Sequence, residues 1–178
     1  MLTPTLSQFF RRQIMHGFGK RGLAEPDTIE YVSDILTRFS LTRELYAIRS
    51  KQGQALEHLV DLQTEWRRAQ GWDDGIANRV RQRQILRHIG EYSLFMSGIF
   101  RHRLVSRGQL NYYIANGSSA FWHCADHEHH NSKRHLLFRR LYYNFTQIAN
   151  ALDIMRSNNF ASRPLPALID PGNSLWWL

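Results

Sequence analysis

Five histidines lie close together in residues 123–135, and side chains of this type can bind a metal ion. They are His123, His127, His129, His130 and His135. If one helix covers the segment, His123, His127 and His130 stand at i, i+4 and i+7 and share a face, because a helical turn takes about 3.6 residues. Zinc, iron or haem is the cofactor that these three histidines would hold. The competing interpretation is a solvated helix end, where imidazolium interacts favourably with the helix C-terminus.

A thiol and two carboxylates lie among these histidines, at Cys124, Asp126 and Glu128. The order of residues does not match the His-Glu-x-x-His motif of zinc proteases, and no Cys-x-x-Cys follows as in zinc deaminases. Cys124 falls on the helix side of Gly117 and Phe121, where a thiol acts as a small apolar group rather than as a nucleophile. No catalytic residue is therefore predicted, and we favour a protein that is not an enzyme.

Arginine gives the chain a strong basic bias. The net charge is +8, from 23 lysines and arginines against 15 acidic residues, and only three of the 23 are lysines. Residues 79–107 hold seven arginines and a single acid, Glu91, and a second basic group spans 133–140. A guanidinium donates paired hydrogen bonds to phosphate or carboxylate oxygens, so an anionic partner is one interpretation of these regions. The competing and simpler interpretation is that arginine replaces lysine as solvated charge on the helix surfaces. The predicted contacts with a polyanion or partner are Arg79, Arg83, Arg87, Arg139 and Arg140.

The composition is that of one folded domain. With 178 residues, of which 43% are hydrophobic and 21% charged, the chain is long enough to bury a single core. No apolar stretch approaches the roughly 20 residues that cross a membrane, so no membrane span is expected. The single cysteine excludes an internal disulfide. Arginines follow the apolar residues at the N-terminus, unlike in a secretory signal, and a cytoplasmic location is therefore expected.

Apolar residues recur at helical spacing through the first half of the chain. Thr3 is predicted to cap a first helix, with Pro4 in its first turn, and the glycines of 17–22 are predicted to end it. Val60 is assigned to the apolar face of a later helix. The helices predicted after the first cover 26–40, 41–48 and about 56–70.

The second half of the chain contains the most apolar segment. A helix is predicted from about Gly75, capped by Asp73 or Asp74, with Val80 on its apolar stripe. The residues of 90–100 are apolar on most sides, which predicts a central buried helix, and whether Gly90 breaks or kinks it stays open.

Two further helices complete the predicted fold. One begins near Gln109, and its small residues at 117–119 would let a neighbouring backbone approach closely. The last runs from 137 to about Asn158, because its apolar residues recur at steps of three and four. We therefore predict an all-α antiparallel bundle of six to eight helices over residues 1–158.

The remaining segment, 159–178, is predicted to be an extended tail. Its three prolines forbid a continuous helix, yet it carries several large apolar side chains. Exposing two tryptophans to water forgoes several kcal/mol at about 25 cal/mol per Å². We expect the tail to dock on its own bundle or on a partner through Leu175, Trp176, Trp177 and Leu178.

The stretches GEYSLFMSGIF…GQLNYYIANGSSAFW, residues 90–122, and LYYNFTQIANALDIM, residues 141–155, resemble a set of small all-helical bacterial proteins of unassigned function. The resemblance covers about a third of the chain. It implies a compact helical fold and brings no catalytic or binding residue.

Two hypotheses of function follow from these observations. The leading one is a non-enzymatic binding or adaptor protein without a cofactor, which uses its arginine-rich surface and aromatic tail to bind a macromolecule. A protein partner or a second copy is expected, with nucleic acid as a further partner class. The alternative is a helical metalloprotein that uses His123, His127 and His130.

Overall fold

The chain folds into α helices that surround one long central helix. A computed structural model describes residues 5–40, 44, 46–50, 53, 56, 58–70 and 76–160. These residues form eight α helices and no strand, which confirms the predicted all-α fold. None of the eight helices is long and apolar enough to cross a membrane. Their bounds are Leu6–Gly19 (α1), Pro26–Phe39 (α2), Leu59–Gln70 (α3), Ile76–Ile99 (α4), Arg101–Ser106 (α5), Leu110–Asp126 (α6), Lys133–Tyr143 (α7) and Phe145–Phe160 (α8).

Helix α4 is the centre of the bundle. It packs against α3, α6 and α8, with smaller contacts to α2 and α5. Residues 88–95 are buried without interruption, which confirms the predicted central buried helix. The helix runs through Gly90 without a break. Val80, however, is exposed, because it lies about 140° around the helix from the buried Ile85.

The cap of the first helix lies two residues later in the chain than predicted. Thr5, not Thr3, is the N-cap: its side chain accepts a hydrogen bond from the Gln8 backbone at 3.3 Å, and the Gln8 side chain accepts one from the Thr5 backbone at 3.1 Å. This reciprocal capping box satisfies two free amides at once, an option that Thr3 with Pro4 does not offer. The helix ends at Gly19, as predicted, and Gly22 then adopts a left-handed φ of 69°.

The last predicted helix consists of two helices that meet at Asn144. This residue has φ −103° and ψ 11°, outside helical geometry, and asparagine is a weak helix former. The apolar seam still continues across the joint, because Leu141, Phe145 and Ile148 are all buried. Helix α8 extends to Phe160 rather than ending near Asn158.

Several predictions fall where the structure describes little. The short helix predicted over 41–48 lies largely outside the described residues, and 46–50 are not helical. The caps at Asp73 and Asp74 and the tail residues Leu175, Trp176, Trp177 and Leu178 also lie outside them. Helix α3 begins at Leu59 rather than near Leu56, and Val60 is exposed because Leu59 and Leu62 supply its buried face.

Candidate anion-binding cleft

The histidine-rich segment forms the connection between α6 and α7. Helix α6 ends at Asp126 with His127 as its C-cap, and Asn131 takes a left-handed φ of 61°. Ser132 then caps α7 by accepting a hydrogen bond from the His135 backbone at 3.1 Å. The predicted stack of His123, His127 and His130 on one helical face is therefore wrong, because the helix stops before the third of them.

The histidine side chains point to different neighbours. The His123 ring packs against Trp66 with centroids 5.9 Å apart, whereas the His130 ring packs against His135 at 4.9 Å. His135 Nδ1 lies 3.0 Å from the carbonyl of Ala125, at the last turn of α6. Across the described residues, no three His, Cys, Asp or Glu side chains are grouped so that they could hold a metal ion.

A cleft lies between α4, the end of α6 and α7, and we call it the arginine cleft. Its volume is about 250 Å³. Arg83 and Arg87 of α4 and Arg134 of α7 line it, and Cys124 and Phe138 supply apolar lining. Among the described residues that line the cleft, Glu128 is the only acid. Three guanidinium groups therefore face one recess whose lining offers a single carboxylate.

The row formed by Arg79, Arg83 and Arg87 follows one face of α4. Steps of four residues place these side chains above one another, about 6 Å apart along the axis. Among the described residues, Arg79 and Arg83 have no acidic partner within ion-pair distance, and Arg87 Nε lies 3.7 Å from Glu91. Within the described part of the chain, two of the three predicted contacts on α4 therefore have no acidic partner that would compete with an anion.

Behind Arg87, a buried carboxylate of α4 joins this helix to α2. Glu91 is 2% exposed, and the hydroxyl of Tyr31 donates a hydrogen bond of 2.5 Å to its Oε1. Arg38 Nη2 lies 3.0 Å from Oε2. Burial, and then the charge of Glu91, raise the pKa of Tyr31, so this hydroxyl stays protonated and can donate. The positive charge of Arg38 therefore compensates the negative charge of Glu91 behind the cleft.

The opposite wall of the cleft is set by Arg134 and His127. Arg134 Nε lies 3.3 Å from Glu128, and its guanidinium lies 5.9 Å from the centre of the Phe138 ring. Burial, then the charges of Arg83 and His123, lower the pKa of His127. His127 is therefore neutral near pH 7, so the positive charge of the cleft comes from its arginines.

Cys124 is unreactive in the folded protein. Its side chain is buried, and desolvation, followed by the negative charge of Glu91, raises the pKa of the thiol to about 12. We expect a disulfide reagent at pH 8 to modify folded protein at least about 100 times more slowly than unfolded protein, because so little thiolate exists. The absorbance of released thionitrobenzoate, with and without denaturant, measures this ratio. Similar rates in the two states would contradict the burial.

The other two predicted arginines lie outside the cleft. The Arg139 guanidinium lies 4.0 Å from the centre of the Trp122 ring and 5.0 Å from that of Tyr143, to whose hydroxyl Arg139 donates a hydrogen bond of 2.7 Å. Arg140 lies 3.8 Å from Glu25. The prediction therefore groups arginines that the fold separates, and it omits Arg134 and Glu91 as members of the site.

Comparison with known proteins does not identify a family for this chain. A comparison with protein families, curated proteins and solved structures finds no match to the chain. The resemblance of residues 90–122 and 141–155 to small helical bacterial proteins stays a prediction. The arginine cleft is therefore the feature that bears on function.

Proposed function

We propose that the protein is a non-enzymatic binding or adaptor protein that takes an acidic segment of a protein partner into the arginine cleft. The convergence of Arg83, Arg87 and Arg134 on one recess carries this proposal. Guanidinium groups bind carboxylates through paired hydrogen bonds, and a recess lets more than one of them reach the same anion.

The lining of the cleft favours a protein segment as the ligand. Val80, which is exposed, offers apolar surface beside the charges, and this suits a carboxylate side chain with apolar neighbours. Nucleic acid remains the second candidate, because the row Arg79, Arg83 and Arg87 could follow a line of phosphates. A cytoplasmic location, and a second contact through Leu175, Trp176, Trp177 and Leu178, belong to the same proposal.

The test is binding of labelled acidic peptides, rich in glutamate and leucine, to the full chain. We expect Arg83→Gln and Arg134→Gln each to weaken binding about tenfold, because each removes a hydrogen bond to a charged group. Arg11→Gln on α1 is the matched control, since it changes the net charge equally at an exposed site away from the cleft. Fluorescence anisotropy gives the dissociation constants.

Three outcomes would contradict the proposal. Equal weakening by Arg11→Gln would show that only net charge matters. Tighter binding of oligonucleotides than of peptides, with a salt dependence that becomes shallower in Arg79→Gln, would favour nucleic acid instead. Absence of binding to either class at about 50 mM salt would remove the arginine cleft as a macromolecular site.

A further inference from the structure

A second cavity lies near the other end of α4, and we call it the tyrosine pocket. Its volume is about 90 Å³. Tyr92 and Met96 of α4, Leu104 of α5 and Tyr113 of α6 line it, and the turn between α4 and α5 adds Phe100. Tyr92, Leu104 and Tyr113 are buried, so most of the lining is apolar and aromatic.

Two arginines supply the charge of this pocket. Arg103 and Arg107 belong to its lining, and neither has an acidic partner among the described residues. Among the described residues of the lining, the remaining titratable groups besides the two buried tyrosines are Tyr46 and His58, and none of these residues is an acid. Within the described lining, an anion that enters would therefore meet two guanidinium groups and no carboxylate.

The two buried hydroxyls are neutral donors and acceptors. Tyr92 and Tyr113 share a hydrogen bond, and their rings lie 6.1 Å apart. Burial raises the pKa of both hydroxyls, and Arg103 partly offsets this increase by favouring the phenolate. The hydroxyls therefore keep their protons near pH 7, and they add no negative charge that would repel an anion.

The size of the cavity limits the ligand. One water needs roughly 10–15 Å³ of such volume, so the tyrosine pocket of about 90 Å³ has room for about six to nine waters. This volume holds one ring of a ligand, whose charged group would then lie beside the two arginines. Aromatic rings and a thioether around the space favour an aromatic ring over an aliphatic chain, because ring pairs and sulfur–ring contacts add attraction beyond buried area.

We propose that the tyrosine pocket binds a small aromatic monocarboxylate, with the carboxylate on Arg103 and Arg107 and the ring against Tyr92, Met96 and Phe100. This site shares no residue with the arginine cleft, so it is independent of the function proposed for that cleft. It makes the protein a binder of a small acid as well as of a macromolecule.

The experiment is a titration of the full chain with benzoate. Calorimetry and ligand-observed NMR measure the binding. We expect a dissociation constant of about 1 mM or tighter, which is reasonable for a ligand of this size. Benzamide, the neutral analogue, should bind at least about tenfold more weakly, because it has no negative charge and only one oxygen to accept hydrogen bonds from the two arginines. Cyclohexanecarboxylate tests the preference for a ring with π electrons.

Two variants and a matched control locate the site. Arg103→Gln and Arg107→Gln should each weaken benzoate binding about tenfold, with unchanged circular dichroism. Arg11→Gln, which removes the same charge at an exposed site on α1, should leave benzoate binding unchanged.

The proposal is overturned by any of four results. These are no binding at about 10 mM benzoate, equal binding of benzamide, tighter binding of phenyl phosphate, and a loss of affinity in Arg11→Gln equal to that in Arg103→Gln. The first of these would leave the peptide experiment on the arginine cleft unaffected, so the two proposals fail separately.

Discussion

Replacing Arg38 by methionine is expected to lower the free energy of unfolding by about 3 kcal/mol. The substitution keeps a long, helix-favouring side chain but removes the guanidinium that lies 3.0 Å from the carboxylate of Glu91. Glu91 is buried, so its charge would be left with the Tyr31 hydroxyl and with Arg87 at the longer distance of 3.7 Å. A buried charge that loses its main partner costs several kcal/mol. Urea unfolding followed by circular dichroism measures the change.

The structure offers a matched control for this effect on the same arginine. Arg38 Nε also lies 2.7 Å from Asp34, whose side chain is 56% exposed. Asp34→Asn should cost less than about 0.5 kcal/mol, because exposed pairs one helical turn apart contribute little. Pairing Arg38→Met with Glu91→Met should recover most of the lost stability, since no buried charge remains. Equal costs for Arg38→Met and Asp34→Asn would mean that Glu91 does not depend on Arg38.

The helices were predictable from the sequence where the spacing of apolar residues indicates which face is buried. The residues of 90–100 are apolar on most sides, and the seam through Leu141, Phe145 and Ile148 recurs at steps of three and four. Both patterns are typical of helices that pack against a core. The prediction misses the joint at Asn144 because the seam continues across it, so periodicity does not register the change of backbone angles. It also misplaces the first cap, since both Thr3 and Thr5 suit a helix start and only the partner Gln8 decides between them.

The candidate site was less predictable because it depends on contacts between distant residues. Tyr31 and Glu91 are 60 positions apart in the chain, and no local pattern connects them. Glu91 was visible only as the single acid in an arginine-rich stretch, four residues after Arg87. Arg134 lines the same cleft as Arg83 because the chain turns between the end of α6 at Asp126 and the Ser132 cap of α7. The same turn separates the histidines that a continuous helix would have stacked.

The close approach at Gly117 gives the second large effect. A Cβ added there would lie 2.5 Å from Cζ of Phe145 and 2.5 Å from Cβ of Ser93. Phe145 is buried, and the Cβ of Ser93 can move only with the backbone of α4, so neither neighbour yields freely. We expect Gly117→Ala to lower the free energy of unfolding by about 2–3 kcal/mol, although alanine favours helices by about 1 kcal/mol over glycine. Urea unfolding measures the loss.

Gly17→Ala is the control for this prediction, because it adds the same methyl group to a helix where nothing lies within 4 Å of the new atom. Only the preference of alanine for the helix then remains, so Gly17→Ala should raise the free energy of unfolding by about 0.5 kcal/mol. The difference in sign separates packing from propensity. If both variants were stabilised, α6 would not pack against α4 and α8 as closely as the structure shows. Destabilisation by Gly117→Ala alone would establish that small residues in the middle of α6 hold the three helices together.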